Sequence, residues 1–159
     1  MERRKFLHAA GTAAIAGAAA GCGASKGPWR FFTEVEARSL EAICEAIIPA
    51  DQDAGATQGG VIHYIDRQLC GKFREHRKTY RDGIAAAERI LAGRAVTVEV
   101  LREIERAKET RSFFDLLVAH AMQGFYGNPR HGGNREFASW RMLRIPISPV
   151  RGRNRNEKS

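Results

Sequence analysis

The side chains with the most obvious chemical potential are histidines and nearby acidic residues. Zinc sites usually hold such ligands at short, regular spacings, for example as two histidines one helical turn apart. No pair in this chain has that spacing, so the sequence favours surface or structural histidines over a metal site. The residues considered as ligands are His63, His76, His120 and His131, together with Asp66 or Asp115.

Nucleophilic catalysis needs a serine or cysteine beside a positioned base, and the sequence shows no such arrangement. The carboxylates fall on predicted helix faces, where solvation and capping account for them. A glycine-rich stretch over residues 124–135 lacks the spacing of a phosphate-binding loop, and no apolar strand precedes it. We therefore expect no intrinsic catalysis and no cofactor in this chain.

Cys44 and Cys70 are the two cysteines that any N-terminal processing would leave in place. In an oxidising compartment, two cysteines on neighbouring helices can form a disulfide if their Cα atoms are close enough. A Cys44–Cys70 disulfide and two separate buried thiols are both compatible with the sequence.

The N-terminus has the layout of an export signal. Two adjacent arginines precede Lys-Phe-Leu, and an uncharged stretch rich in alanine and glycine follows over residues 9–21. This pattern is typical of twin-arginine signals, which export proteins that have already folded. We predict a signal and linker over residues 1–30 and delivery to the periplasm. The residues that define the signal are Arg3, Arg4, Phe6 and Leu7.

Residues 19–22, Ala-Ala-Gly-Cys, resemble a lipobox, in which the cysteine is acylated and the signal is cut just before it. Ala19 stands where a larger aliphatic residue is usual. Acylation of Cys22 would tether the domain to a membrane surface. In the alternative, Cys22 is removed with the signal or lies near the new N-terminus.

The formal net charge of +8 at first suggests a nucleic-acid partner. Residues 1–21 carry +2 and residues 151–159 carry +3, so only +3 remains for the middle of the chain. We predict a basic, disordered tail over residues 151–159. Export also argues against a nucleic-acid partner.

Residues 31–150 show helical periodicity. Thr33-Glu34-Val35-Glu36 is a capping box that predicts a helix starting at Glu34, and Pro49 ends its apolar stripe. A second box at Ser112 predicts another helix start. Further apolar stripes predict helices between these two, over residues 61–69, over residues 80–91 and after Thr97. We expect an all-α domain of five or six helices.

The most unusual stretch is residues 120–135, whose glycines, proline and asparagines predict a long ordered turn. An exposed aromatic pair on such a turn would suit a partner-binding site. The alternative is that the same aromatic residues complete the core of the domain. The candidate interface residues are Gly124, Phe125, Tyr126, Asn128, Pro129, Arg130, Asn134 and Trp140.

We call residues 123–143 the signature segment. Its Gln-Gly-Phe-Tyr-Gly-Asn-Pro, Gly-Gly-Asn-Arg and Trp-Arg-Met-Leu motifs resemble the C-terminal signature of the gluconate 2-dehydrogenase subunit 3 family. The resemblance extends upstream through the motifs at residues 31–33, 47–51 and 64–69. One departure is Asn128, where an aspartate is expected, and it puts a role for charge at this position in doubt.

The resemblance implies a non-catalytic small subunit of a flavin-dependent gluconate, sugar or alcohol dehydrogenase. FAD would belong to a large flavoprotein subunit and haem c to a multi-haem cytochrome subunit. The chain would escort and export the large subunit and assemble with it at the periplasmic membrane surface. The alternatives are a free-standing periplasmic lipoprotein and a small metal-binding protein.

Overall fold

The computed structural model describes residues 28–147. The predicted export signal, the lipobox cysteine and the basic tail lie outside the described residues. These predictions concern Arg3, Arg4, Phe6, Leu7, Cys22 and residues 151–159.

The described part of the chain is helical and contains no β-strand, which confirms the predicted all-α fold. Three single turns of 3₁₀ helix lie between the α-helices, over Arg74–His76, Pro129–His131 and Arg135–Phe137. The α-helices are α1 (Glu34–Ile47), α2 (Val61–Leu69), α3 (Arg77–Leu91), α4 (Val98–Arg106), α5 (Arg111–Tyr126) and α6 (Ala138–Met142).

The start of α1 is fixed by the predicted capping box. The Thr33 hydroxyl accepts a hydrogen bond from the Glu36 backbone N–H at 3.3 Å, and the Glu36 carboxylate accepts one from the Thr33 N–H at 2.7 Å. Both bonds satisfy amides that have no partner inside the helix. Thr97 caps α4 in the predicted way, by accepting from the Val100 N–H at 3.4 Å.

The predicted start of α5 at Ser112 is wrong. The helix already begins at Arg111, and Ser112 is an exposed residue of its first turn. Thr110 is fully buried before it, and its hydroxyl donates to the carbonyls of Ile104 and Ala107. The tight turn that Thr110 closes between α4 and α5 therefore sets the start of the helix.

Helix α5 is the centre of the domain and packs against all five other α-helices. Gly83 of α3 allows a close approach, because a Cβ there would lie 2.1 Å from the Phe113 ring. The resulting core is a single apolar cluster. The α5 residues within it are Phe113, Phe114, Leu117, Ala121 and Phe125.

The connection between α1 and α2 is folded back by Glu45 of α1. Its carboxylate accepts hydrogen bonds from the backbone N–H groups of Ala50 at 2.9 Å and Thr57 at 2.8 Å. Partial burial raises the pKa of Glu45, but these donors outweigh it and hold the pKa below its usual range. The loop is thereby held against the end of α1. Among residues 28–147, no helix combines the length and apolarity needed to cross a membrane.

Candidate interaction site

The first part of the signature segment is the last turn of α5 and not a loop. Phe125 is 1% exposed, and Gly59 approaches so closely that a Cβ there would lie 2.7 Å from the Phe125 ring. Tyr126, the next residue, is 42% exposed. The expectation of an exposed aromatic pair is therefore wrong for Phe125, which belongs to the core, while Tyr126 remains on the surface.

Gly124 and Gly133 bring the glycine-rich turn directly onto α5. A Cβ at Gly133 would lie 2.1 Å from the carbonyl oxygen of Gly124, and a Cβ at Gly124 would lie 2.9 Å from the Tyr64 ring. The first contact is between two stretches of backbone, so no side chain can move aside to relieve it. Position 133 must therefore be glycine for the turn to pack as it does.

Asn134 holds the two sides of this turn together. The residue is fully buried and adopts a left-handed conformation with φ of 44°, which asparagine tolerates better than most residues. Its side chain donates to the Gly127 carbonyl at 2.9 Å and accepts from the Ser139 N–H at 3.0 Å. Asn134 is thus a structural clamp within the candidate interface.

Asn128 and Pro129 open the 3₁₀ turn that follows α5. The Asn128 side-chain oxygen accepts from the Arg130 N–H at 3.1 Å, and Pro129 occupies the first helical position, where no N–H is needed. Because an amide oxygen caps this turn, the capping contact does not need the negative charge of an aspartate. Asn128 and Pro129 are half-buried and Arg130 is exposed.

The signature segment is also attached to the region around the start of α2. The Arg135 N–H donates to the Gly59 carbonyl at 3.0 Å, and the Arg135 side chain lies over Gly60, whose φ is +67°. A guanidinium nitrogen of Arg67 donates to the Arg130 carbonyl at 3.4 Å. These contacts join residues more than 60 positions apart in the sequence.

Trp140 of α6 completes the site. It is half-buried, and its indole N–H donates to the Tyr126 carbonyl at 3.1 Å. Its ring lies 5.6 Å from that of Phe137. The indole therefore ties α6 to the end of α5 and leaves the Tyr126 ring facing outward.

Asp66 has a structural role that the sequence did not reveal. It is 3% exposed, and its carboxylate accepts hydrogen bonds from three successive backbone N–H groups, those of Arg30 at 2.8 Å, Phe31 at 2.8 Å and Phe32 at 3.1 Å. A buried carboxylate is stabilised by such donors. Asp66 therefore fixes the start of the domain to α2.

His120 lies in an aromatic cluster. Its ring stacks on Phe73 at 4.2 Å, its Nδ1 lies 2.9 Å from the Tyr80 hydroxyl, and the His76 ring lies 5.7 Å away. Burial, followed by the positive charge on His76 when it is protonated, lowers the pKa of His120 to about 4. The ring is therefore neutral at physiological pH.

Of the four histidines considered as ligands, His76 and His120 are neighbours in the aromatic cluster, and His63 and His131 make other contacts. His63 stacks on Trp29 at 4.5 Å, and His131 accepts from the Arg130 side chain at 3.1 Å. Asp115 is exposed on α5. In the part of the chain that the structure describes, no group of three or more His, Cys, Asp or Glu side chains is placed to hold a metal ion.

Cys44 is a buried free thiol, so the structure does not contain the considered Cys44–Cys70 disulfide. Burial, with smaller contributions from Glu41 and Glu45, raises the pKa of Cys44 to about 12. Such a thiol is unreactive at neutral pH because almost none of it is thiolate. Cys70 lies instead at the C-terminal end of α2, where it is half-buried.

The sequence profile of the family described as Gluconate 2-dehydrogenase subunit 3 matches residues 34–146. The chain belongs to this family. The match covers all six α-helices and the whole signature segment, and it confirms the resemblance seen in the motifs. No curated protein and no solved structure matches the chain. Membership of this family is consistent with a role as an accessory subunit of a dehydrogenase complex.

Proposed function

We propose that this chain is the non-catalytic small subunit that escorts and assembles a flavin-dependent gluconate, sugar or alcohol dehydrogenase. The supporting observation is the family match over residues 34–146. In this proposal the large flavoprotein subunit carries FAD, and a multi-haem cytochrome subunit carries haem c and accepts the electrons.

The use of the polar side chains within the domain supports a scaffold role. The buried polar side chains of Asp66, His120 and Asn134 have partners inside the chain, whereas the buried Ser139 hydroxyl has none among the described residues. A group that is already satisfied by its own fold adds rigidity, and using it for chemistry would first require those bonds to break. The proposed work of the chain is therefore done by its surface and by its export signal.

The direct test of the subunit proposal is purification of the tagged full chain from its native cells, from the periplasm together with the detergent-solubilised membrane. We expect a flavoprotein to come with it in stoichiometric yield, together with the absorbance of flavin and of haem c. A colourless single chain from this preparation would contradict the proposal and would favour a free-standing lipoprotein.

The escort proposal is tested by replacing Arg3 and Arg4 with lysine, because the twin-arginine route requires the arginine pair. We expect both this chain and its flavoprotein partner to remain in the cytoplasm, as measured by fractionation and dehydrogenase activity. The matched control replaces Arg151 and Arg153 of the tail with lysine and should export normally. Export of the flavoprotein without this chain would rule out the escort role.

We further propose that the complex lies at the periplasmic face of the membrane, held there by the cytochrome subunit or by a lipid on Cys22. The mass of the mature chain distinguishes the two attachments, since acylation adds the mass of the lipid at a new N-terminal cysteine. A mature N-terminus downstream of Cys22 would mean that the chain carries no lipid there and is held at the membrane only through the complex.

A further inference from the structure

Most of the large apolar side chains that are exposed lie towards the C-terminal end of the described chain. Seven large hydrophobic residues are exposed among residues 28–147, and five of them lie on α5 or after α6. We call these five the apolar patch. Its members are Met122 at 40%, Tyr126 at 42%, Leu143 at 52%, Ile145 at 41% and Ile147 at 40% exposure.

Trp140 links the two stretches of chain that carry the patch. Its indole donates to the Tyr126 carbonyl at 3.1 Å, and its own carbonyl accepts from the Ile145 N–H at 2.8 Å. Met122 lies one helical turn before Tyr126 and so shares its face of α5. The end of α5 and the stretch after α6 are thus joined by the hydrogen bonds of a single half-buried tryptophan.

Four exposed arginines lie in the same stretch of chain as most of the patch, and we call them the arginine rim. Residues 123–147 contain four arginines and one acidic residue, Glu136, for a net charge of +3. None of these arginines forms an ion pair with any described residue, whereas Arg81 pairs with Glu36 and Arg94 with Glu103 elsewhere on the domain. The rim arginines are Arg130, Arg135, Arg141 and Arg144.

We propose that the apolar patch and its arginine rim form the docking surface for the large flavoprotein subunit, which would present an apolar surface edged by carboxylates. This inference rests on the proposed function. An apolar centre with a charged rim is the usual composition of a specific interface, and charge complementarity selects an acidic partner. The tail of this chain is not the occupant, because its net charge of +3 has the same sign as the rim.

The apolar part is tested by replacing Leu143 and Ile145 with aspartate in the tagged full chain, co-expressed with the flavoprotein. We expect at least a tenfold lower yield of co-purified flavoprotein, with the thermal unfolding of the small subunit unchanged. The control replaces Val35 and Val98, which are 63% and 56% exposed at the starts of α1 and α4, with aspartate. It should retain the flavoprotein at the wild-type level.

The rim is tested by replacing Arg141 and Arg144 with glutamate. We expect weaker binding of the flavoprotein at low salt and a smaller difference from wild type at high salt, because screening removes long-range attraction. The control replaces the exposed Arg102 and Lys108 with glutamate and should bind normally. An equal loss of flavoprotein binding in the control would show that only the overall net charge matters, and would overturn the proposed role of the arginine rim.

The possible results separate this inference from the proposed function. If the wild-type chain retains the flavoprotein and the aspartate pair does so equally, the docking surface is wrong and the subunit role stands. If the wild-type chain retains no flavoprotein, both fail. A dimer of the chain alone, or binding to anionic vesicles, that the aspartate pair abolishes would assign the patch to a second copy or to lipid and would also overturn the inference.

Discussion

The bundle formed by α1–α5 and the part of the signature segment that follows Tyr126 are stabilised in different ways. In the bundle, buried side chains such as Leu40, Ile65 and Leu117 distribute the free energy over many weak contacts. The following segment is fixed instead by a few specific features, chiefly the Gly133 backbone contact, the Asn134 clamp and the Trp140 indole.

This difference shows how a small domain can carry a surface of defined shape. Apolar packing holds the helices together but permits small adjustments around each side chain. A backbone contact or a buried amide clamp requires one residue type at one position. We therefore expect substitutions in the signature segment to be tolerated on its outside and harmful at its clamps.

The largest expected effect comes from Gly133→Ala. The new methyl group would meet the Gly124 carbonyl at 2.1 Å, so the turn would separate from α5 and the free energy of unfolding would fall by about 4 kcal/mol. Urea unfolding of the purified chain measures this loss. Gly71→Ala is the control, because its nearest contact is 3.6 Å away and we expect a change within about 0.5 kcal/mol. Equal effects would remove the distinction between the two regions.

A smaller effect is expected for Asn134→Ala. It would leave the Gly127 carbonyl and the Ser139 N–H without their partner and would place alanine in a left-handed conformation, at a total cost of about 3 kcal/mol. Asn134→Gly relieves the conformational strain alone, so it should recover about 1 kcal/mol of that loss.

Ser139→Ala is the control for the clamp. It removes a buried hydroxyl that has no partner in the described part of the chain, and we expect no loss of stability. If Asn134→Ala behaved like Ser139→Ala in urea unfolding, the clamp would not be what holds the segment.

The sequence was sufficient to predict the bundle because its signals are local. The capping box at Thr33 and the apolar stripes of α1–α3 each lie within a few residues, and the structure confirms them. The start of α5 was misplaced because Thr110 is set by its bonds to the previous turn and not by a capping pattern.

The signature segment was harder to predict because its determinants are distant in sequence. The burial of Phe125 depends on Gly59, and the path of the turn depends on contacts with Arg67 and Gly59. The segment also contains residues in the left-handed region that are not glycine, at Glu136 with φ of 53° and Phe137 with φ of 59°. Composition predicted a turn here, but it did not indicate which side chains face inward.

The smallest expected effect is a pH dependence of the free energy of unfolding, which arises from His120 in the bundle interior. The unfolded chain protonates His120 near pH 6.5, whereas the folded protein does so only near pH 4, so the unfolded state binds more protons between these values. Stability is complete above pH 6.5 and is lost as the pH falls towards 4. The full difference in pKa corresponds to about 3 kcal/mol, and we expect a loss of about 2 kcal/mol because solvent screens part of the interaction.

The measurement is urea unfolding at a series of pH values, compared with His120→Phe. The variant keeps an aromatic ring beside Phe73 but cannot be protonated at this position. As the pH falls, the wild type loses the stability that depends on a neutral His120 and the variant does not. The advantage of the wild type in free energy of unfolding should therefore shrink. His76 and Glu75 also face this cluster, and both remain in the variant. A parallel pH dependence in the two proteins would contradict the assignment to His120.

The Asp66 clamp sets how far the domain can stand from any point of attachment upstream. It fixes the backbone from Arg30 onward, and Arg30 lies eight positions after Cys22. A fully extended chain of that length reaches about 30 Å at most. A domain tethered at Cys22 would therefore work within about one domain diameter of the membrane surface, and any partner bound to it would be restricted to the same narrow layer.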